Sequence, residues 1–311
     1  MTPLRTAVGR LMNRALAGFG YALVRRRLVA VEPDVAVPAE PSTDRSAVEQ
    51  EQQAQQHREL LRHQISSTWR LVDEIRKLSA PPPQVACPLC GYEDDVAAFR
   101  EYRSYCVFGG GDLLRHQCPT CDLIFGPQKM LSLSEAELAG DYEWHYRAFD
   151  EGDSTDLEVR AFRALRPRKD GVYLNWGAGS WSRSLAVLRK EGWNVSGFEP
   201  HGSAAGAGEW MVDPATLEGM RFDGIFSNNV LEHLRHPVRE LTRMRSLLRP
   251  GGRMSHATPC FEYRYQYTRF HLHFFAGRSR ALLAQKAGLI FEEFLVDGDF
   301  MNGVLSGIQS R

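Results

Sequence analysis

The sequence predicts an α/β fold for its second half, from about residue 155 to residue 311, preceded by a small module built on four cysteines. From Gly171 onward, short apolar runs alternate with amphipathic helical segments, an order typical of a largely parallel sheet. Upstream of them stand two Cys-x-x-Cys pairs. The chain has 311 residues, 43% of them hydrophobic, with 38 basic and 38 acidic side chains. That balance is ordinary for a globular protein and disfavours nucleic acid as a partner.

Residues 1–30 predict a basic amphipathic helix, because apolar residues such as Leu4, Val8 and Leu11 recur among six arginines. Such a helix can contact an anionic membrane surface, or it can pack on the protein's own body or on a partner. No run of about 18 apolar residues is present to span a bilayer. The expected location is the cytoplasm, with peripheral contact at the inner face of the membrane as an alternative.

Residues 31–46, which include three prolines, predict a linker. Residues 47–80 contain neither glycine nor proline, and they predict a long helix that ends before Pro81. Its apolar positions approximate a heptad seam: Leu61, Ile65, Val72 and Ile75. Two heptads are compatible with a short coiled coil that forms a homo-oligomer, and equally with a helix that docks on its own domain.

The segment 84–150 predicts a zinc-ribbon module followed by a lid segment. Its ligands are two pairs separated by 27 residues: Cys87, Cys90, Cys118 and Cys121. Each Cys-x-x-Cys pair places two thiolates on one tight turn, and two such pairs complete a closed tetrahedral site for structural zinc. A redox role for these pairs would need a βαβ context, which is missing around them.

The first strand of the α/β half is followed by a glycine turn. The apolar run 172–176 leads into Gly177-Ala-Gly179, a helix follows, and the next strand ends at Glu199. Glycines let the backbone approach an adenosine-type ligand closely, and a carboxylate about twenty residues later can bind the two ribose hydroxyls. The third glycine of a dinucleotide fingerprint falls on Ser182, which disfavours an NAD-dependent oxidoreductase.

Later motifs complete the pattern. They are the strand Phe-Asp-Gly-Ile-Phe-Ser-Asn-Asn-Val-Leu-Glu-His over 222–233, the Arg-Pro-Gly-Gly turn at 249–252 and Phe-His-Leu-His-Phe-Phe at 270–275. Together with the glycine turn and the acidic strand end, residues 171–311 resemble class I S-adenosylmethionine-dependent methyltransferases. With the zinc ribbon, the chain is similar to bacterial sugar C-methyltransferases, but without their C-terminal domain. The resemblance implies a Rossmann-like sheet of seven strands and a methyltransferase domain over 155–311.

The resemblance also implies which residues bind S-adenosylmethionine. The implied set surrounds the ends of three strands: Asn175, Trp176, Gly177, Ala178, Gly179, Glu199, Pro200, Asn228 and Asn229. Asn175 stands where the family usually has an acidic residue, which predicts weaker cofactor binding. The nearest acid for the adenine amino group is Asp213.

If the acceptor is a hydroxyl, its methylation needs a general base, and histidine is the side chain most easily tuned for that work. His233 and His273 are the candidates for the base, although each could instead be structural. Tyr142, Tyr146 and His271 are candidates for substrate contact, and the two tyrosines could equally pack between domains.

The predicted function is therefore methyl transfer from S-adenosylmethionine to a sugar or glycan, free or lipid-linked, or to a small metabolite. Two alternatives stay open besides the oxidoreductase. One is an RNA methyltransferase whose ribbon binds nucleic acid, and the other is a non-catalytic protein that kept the cofactor-binding fold.

Overall fold

The computed structural model describes residues 45–78, 84–150, 152–179, 183–199 and 210–308. The chain divides into two compact units, Met1–Gln50 and Glu51–Arg311, and every contact discussed below lies within the second. The basic helix predicted over 1–30, and most of the linker predicted over 31–46, lie outside the described residues. No helix in the described ranges combines the length and the apolar character needed to cross a bilayer.

The long helix α1 spans Arg45–Leu78, two residues earlier than predicted at its start. Leu61, Ile65 and Trp69 are buried and pack in a cluster with Met130 and Phe270. Leu61 and Ile65 belong to the predicted seam, so in the described structure the seam docks on its own chain. A homo-oligomer through residues 47–80 stays a prediction.

The cysteine module consists of a hairpin and a four-stranded antiparallel sheet. The strands are β1 (Gln84–Ala86), β2 (Glu93–Asp95), β3 (Arg100–Cys106), β4 (Gly111–Gln117) and β5 (Ile124–Phe125). The sheet order is β10-β5-β4-β3, where β10 (His273–Phe274) comes from the other half of the chain. The module is therefore completed by a strand about 150 residues downstream of β5 and is not an independent appendage.

Two short helices and a longer one connect the module to the main sheet: α2 (Gln128–Leu131), α3 (Glu135–Ala148) and α4 (Thr155–Ala164). Helix α3 begins with a capping box between Ser134 and Glu137, which satisfies two amides at its first turn. The buried guanidinium of Arg269 donates two hydrogen bonds to Asp141 on α3, at 2.7 and 3.1 Å. This ion pair fixes α3 against the loop that leads into β10.

The main sheet has six strands in the order β11-β12-β9-β8-β6-β7. They are β6 (Val172–Trp176), β7 (Asn194–Phe198), β8 (Phe222–Asn228), β9 (Leu248–Ala257), β11 (Leu289–Asp297) and β12 (Phe300–Gly307). Strands β6 to β9 are parallel, whereas β12 runs antiparallel to both β9 and β11. The helices between them are α5 (Ser184–Lys190), α6 (Pro214–Leu217), α7 (Pro237–Ser246) and α8 (Ser279–Lys286).

The predicted count of seven strands is wrong for the described residues. Beyond β7, Met211 forms only a single parallel bridge with Gly197, held by the bonds Gly197 N to Trp210 O and Val212 N to Gly197 O. One bridge is too short to form a strand of its own, so this edge of the sheet is reduced to a single pairing.

Both faces of the sheet are covered, as expected for parallel strands with helical connections. Tyr173 and Phe226 face a core that includes Phe162 of α4. Leu174 and Ile225 face the larger core, which also contains three of the four cysteines and has Cys90 packed against it. The cysteine module thus packs into the same core as the main sheet.

Candidate cofactor and acceptor site

The predicted glycine turn lies at the carboxyl end of β6, directly beside the acidic end of β7. Gly177 and Gly179 adopt left-handed conformations, with φ of 75° and 59°. A Cβ on Gly177 would lie 2.6 Å from Val230 Cγ2, so only glycine fits that position. The Gly179 amide donates to Glu199 Oε2 at 3.2 Å. The two parts of the predicted adenosine-binding pattern are therefore adjacent in the fold.

Asn175 is part of a buried network around a carboxylate that we did not predict from the sequence. Its Nδ2 donates to Glu158 Oε2 at 2.6 Å, and the Ser184 hydroxyl donates to the same oxygen at 2.5 Å. The other oxygen of Glu158 accepts from the Ser154 hydroxyl at 2.5 Å. Glu158 is only 4% exposed. A negative charge therefore stands beside Asn175, although it comes from α4 instead of the strand.

Glu158 could have been recognised from its position, four residues before the buried Phe162, because residues i and i+4 share a helix face. An acidic residue on the apolar face of the helix that precedes β6 is a signal of a buried polar contact. The sequence does not specify which strand residue it meets.

The Trp176 side chain lies in the core, and the cofactor contact predicted for this residue stays a prediction. The indole is 1% exposed and packs on Phe198 with the ring centroids 4.7 Å apart. Ala178 is also buried. Pro200 and Ser182 lie outside the described residues.

Asn228 and Asn229 lie at the carboxyl end of β8, which neighbours β6 in the parallel sheet. Asn228 is buried, whereas Asn229 is exposed and left-handed, with φ of 52°. The Asn229 amide donates to the Ala257 carbonyl at 2.9 Å. Both residues are thus at the same sheet edge as the glycine turn, as ligands of open α/β sheets require. Asp213, in contrast, caps α6 by accepting from the Ala215 amide at 2.7 Å.

His233 and Tyr142 are brought together by the packing of α3 against the turn after β8. The Tyr142 hydroxyl lies 2.7 Å from His233 Nδ1. Burial raises the pKa of Tyr142 well above its usual value, so the phenol stays neutral. Its ring stacks on Phe270 at 4.1 Å and on the exposed Tyr146 at 5.8 Å. The His233 side chain is 25% exposed, so solvent reaches it.

His271 is buried next to His233, with their ring centroids 4.9 Å apart. Its Nδ1 lies 2.9 Å from the Tyr265 carbonyl and 3.3 Å from Cys260 Sγ. Burial, with the neighbouring charges of His233 and Arg115, lowers its pKa well below the usual value. His271 thus lies next to the partly exposed His233 but is itself buried.

His273 is a weak candidate for a base, contrary to its selection from the sequence. It lies on β10, pairs with Phe125 and is 1% exposed. Burial lowers its pKa to about 4. The ring is part of the sheet that the cysteine module shares with the loop after β9, and its position is explained by packing.

Glu232 is the second acidic residue that we did not predict. It is fully buried, and its backbone carbonyl accepts from the Leu272 amide at 2.8 Å. Burial raises its pKa to about 7, although its own amide and the nearby Thr258 hydroxyl oppose the shift. Both Glu232 oxygens lack a hydrogen-bond partner among the described residues, and His233 Nε2 lies 3.9 Å from Oε1. The Glu-His pair at the end of the β8 motif was the available signal.

The four predicted zinc ligands come together as expected. The sulfur atoms of Cys87 and Cys121 are 3.6 Å apart, and those of Cys90 and Cys118 are 3.5 Å apart. All four lie within 4.8 Å of one another. Ligands at about 2.3 Å from a tetrahedral zinc ion are about 3.8 Å apart, so the residues fit such an ion.

Residues 146–292 match the family model of a methyltransferase domain. This part of the chain is a methyltransferase domain with the class I α/β fold, and the predicted enzyme class is confirmed to that extent. No curated protein matches the chain.

Several solved structures are similar to the chain at low identity. A methyltransferase of calicheamicin biosynthesis in its SAH-bound form is 17% identical, with 56% of this chain and 60% of that chain covered and a TM-score of 0.40. The 1,6-didemethyltoxoflavin-N1-methyltransferase of Burkholderia thailandensis is 19% identical, with 62% and 94% covered and a TM-score of 0.44. The CcbJ methyltransferase of Streptomyces caelestis is 15% identical, with 51% and 92% covered and a TM-score of 0.38.

Proposed function

We propose that this protein transfers a methyl group from S-adenosylmethionine to a sugar, a glycan or a small metabolite with a reactive hydroxyl. One observation carries the proposal: the Glu199 carboxylate lies 3.2 Å from the Gly179 amide, at the edge where β6 and β7 end. Adenosine needs this pairing of a glycine turn for backbone approach and a carboxylate for two ribose hydroxyls.

The Glu158 network supports a working cofactor site despite Asn175. The family's acid at that position has a counterpart here in the Glu158 carboxylate, 2.6 Å from Asn175 Nδ2. Three donors hold it in place, so its orientation is fixed before any ligand binds. The missing charge at position 175 is therefore not an argument for a non-catalytic protein.

The geometry around His233 supports a base for a hydroxyl acceptor. If Nδ1 donates to the neutral Tyr142 oxygen, Nε2 keeps the lone pair that a base requires. The acceptor oxygen then forms a bond to the methyl carbon, the sulfur–methyl bond breaks, and the hydroxyl proton moves to Nε2. S-adenosylhomocysteine leaves with the electron pair on sulfur. Tyr142 acts as a positioning residue, because its hydroxyl contacts His233 at Nδ1, the ring nitrogen that does not take the proton.

The side chains beside His233 support this acceptor class. Tyr146 is 42% exposed and stacked on Tyr142, so it offers an aromatic surface near the partly exposed side chain of His233. Aromatic rings with a polar edge are suited to the apolar faces and hydroxyls of a sugar or a small polar metabolite.

Zinc is the metal that we propose for the four cysteines. Four thiolates in two tight turns fill a tetrahedral shell and leave no position for water, which suits structural zinc. Cys87, Cys118 and Cys121 are buried in the same core as Leu174 and Ile225. Zinc bound there would stabilise the methyltransferase core as well as the module.

We also propose that residues 1–30 bring the enzyme to an anionic membrane surface, as their six arginines suggest. The test is sedimentation with vesicles containing anionic lipid. A variant without residues 1–30 is expected to stay in the supernatant. Equal binding of both proteins, or of neither, would rule this contact out.

Calorimetry with S-adenosylhomocysteine tests the cofactor site. Glu199→Gln is expected to bind about 10- to 100-fold more weakly, since charge-assisted hydrogen bonds contribute about 1.5–3 kcal/mol. Glu59→Gln, on the exposed surface of α1, is the matched control and should bind like wild type. Absence of binding at millimolar ligand would overturn the proposal.

The acceptor class is tested with a labelled methyl donor and fractionated cell extract. Label in the sugar, glycan or small-molecule fraction supports the proposal. Label that enters only RNA would favour the alternative in which the cysteine module binds nucleic acid.

A further inference from the structure

A second group of metal-ligating side chains lies apart from the four cysteines, between the main sheet and the cysteine module. Glu232 follows β8, Cys260 lies in the turn after β9, and His271 precedes β10. Their ligand atoms all lie within 4.8 Å of one another, and Cys260 Sγ is 3.3 Å from His271 Nδ1. Three segments of the chain thus converge on one point.

The polar atoms of this group are out of reach of solvent. Glu232 and Cys260 are 0% exposed and His271 is 8% exposed. Neither oxygen of Glu232 has a hydrogen-bond partner among the described residues. A buried carboxylate without partners is costly, and metal coordination is one of the few arrangements that compensates for it.

We propose that Glu232, Cys260 and His271 bind a divalent transition-metal ion of the zinc type. One thiolate, one carboxylate and one neutral imidazole match the ligand preferences of Zn²⁺, whereas Mg²⁺ and Ca²⁺ favour oxygen ligands only. The thiolate and the carboxylate together balance the two positive charges of the ion. Three protein ligands leave a fourth position open, as in catalytic zinc sites.

The surrounding contacts hold the ligands in place. The Tyr265 carbonyl lies 2.9 Å from His271 Nδ1 and holds the imidazole in place beside Cys260. The Cys260 amide donates to the Thr258 hydroxyl at 3.0 Å. Buried Arg115 donates to the Thr268 carbonyl at 2.7 Å and fixes the loop before β10. These contacts do not depend on an ion and would preorganise the site.

The ion would adjoin the proposed acceptor position, because His233 Nε2 lies 3.9 Å from Glu232 Oε1. This placement next to the base rests on the proposed function, but the binding of the ion does not. The reactive group favoured by such a neighbour is a hydroxyl or enol oxygen, which a zinc-type ion polarises.

Metal analysis of the full chain tests the site without any activity measurement. After loading with Zn²⁺ and removal of the free ion, wild type is expected to hold two zinc ions per chain, one at each cluster. Cys260→Ser and Glu232→Gln should hold one. Cys106→Ser is the matched control, because Cys106 is a buried thiol outside both clusters, and it should hold two.

A single zinc ion in wild type, or two in Cys260→Ser, would overturn the proposal. Should the variants fail to fold, X-ray absorption of loaded wild type decides the matter. Two sites predict about 2.5 sulfur ligands per zinc on average, whereas the four-cysteine site alone predicts about 4. A chain that holds two zinc ions but transfers no methyl group would contradict only the proposed function. A chain that transfers methyl groups but holds one zinc ion would contradict only the second metal site.

Discussion

Substitutions that exchange the amide of Asn175 and the carboxyl group of Glu158 are the sharpest test of the buried network at the end of β6. The family's usual acid at position 175 suggests that Asn175→Asp would improve this protein. The structure predicts the opposite, because Asn175 Nδ2 lies 2.6 Å from Glu158 Oε2 and the two residues are 1% and 4% exposed. The substitution would place two carboxylates in contact inside the core.

The expected penalty is large. Two charges 2.6 Å apart repel by about 6 kcal/mol at an effective dielectric constant of about 20. Uptake of a proton by the pair limits the cost at pH 7 to about 4 kcal/mol, at about 1.4 kcal/mol for each unit above an ordinary carboxyl pKa. The folded state then binds more protons than the unfolded state, so the penalty should shrink by up to about 1.4 kcal/mol for each unit of lower pH.

Urea unfolding of four proteins measures the effect: wild type, Asn175→Asp, Glu158→Gln and the double variant. Glu158→Gln alone should cost about 1–3 kcal/mol through its mismatched donors. The double variant restores one amide–carboxylate pair, so a favourable coupling of about 2 kcal/mol or more is expected. Asn194→Asp, at an exposed position of β7, is the control and should change little. Additive effects in the double variant, or a single Asn175→Asp within about 1 kcal/mol of wild type, would refute the reasoning.

Three further predictions follow from other contacts. Tyr142→Phe removes the 2.7 Å contact with His233 and should lower kcat by about 10-fold or more with little change in cofactor affinity. Tyr105→Phe, at an exposed position of β3, is the control and should not lower kcat; equal losses in both would contradict the positioning role. Burial lowers the pKa of His256 to about 3, so the unfolded state alone takes up its proton as pH falls below about 6.5. The loss of folding stability is about 2 kcal/mol by pH 5. His256→Gln should reduce this acid sensitivity, whereas the control His57→Gln, at an exposed position of α1, should not. If the four cysteines bind zinc as proposed, chelation of that ion should lower the thermal midpoint of the entire unit, because the cysteines share its core. Melting of the module alone would contradict this.

The elements that depend on local pattern were predictable. The strand 172–176 and the glycine turn after it were both read from short-range signals. The pairing of Gly179 with Glu199 was also predictable, since parallel strands on either side of one helix end at the same edge. The described residues contain six of the seven strands that the resemblance implied, and Met211 forms a single bridge at the edge of the sheet.

The individual roles of the histidines were not predictable. His233, His271 and His273 lie in similar motifs, yet one is 25% exposed and the other two are buried. Burial decides whether an imidazole can meet a substrate, and it depends on how α3 and the cysteine module close over the loop before β10.

The sequence by itself determined that the chain has a four-thiolate module and a class I α/β domain, because ligand spacing and hydrophobic periodicity act within a few residues. Only the tertiary structure decided that Glu158 of α4 supplies a charge beside Asn175, and that β10 completes the sheet of the cysteine module. It also decided that Glu232, Cys260 and His271 converge. These contacts join residues from 11 to about 150 positions apart in the sequence, and the energy that selects them comes from packing and buried polar pairing, which no local pattern records.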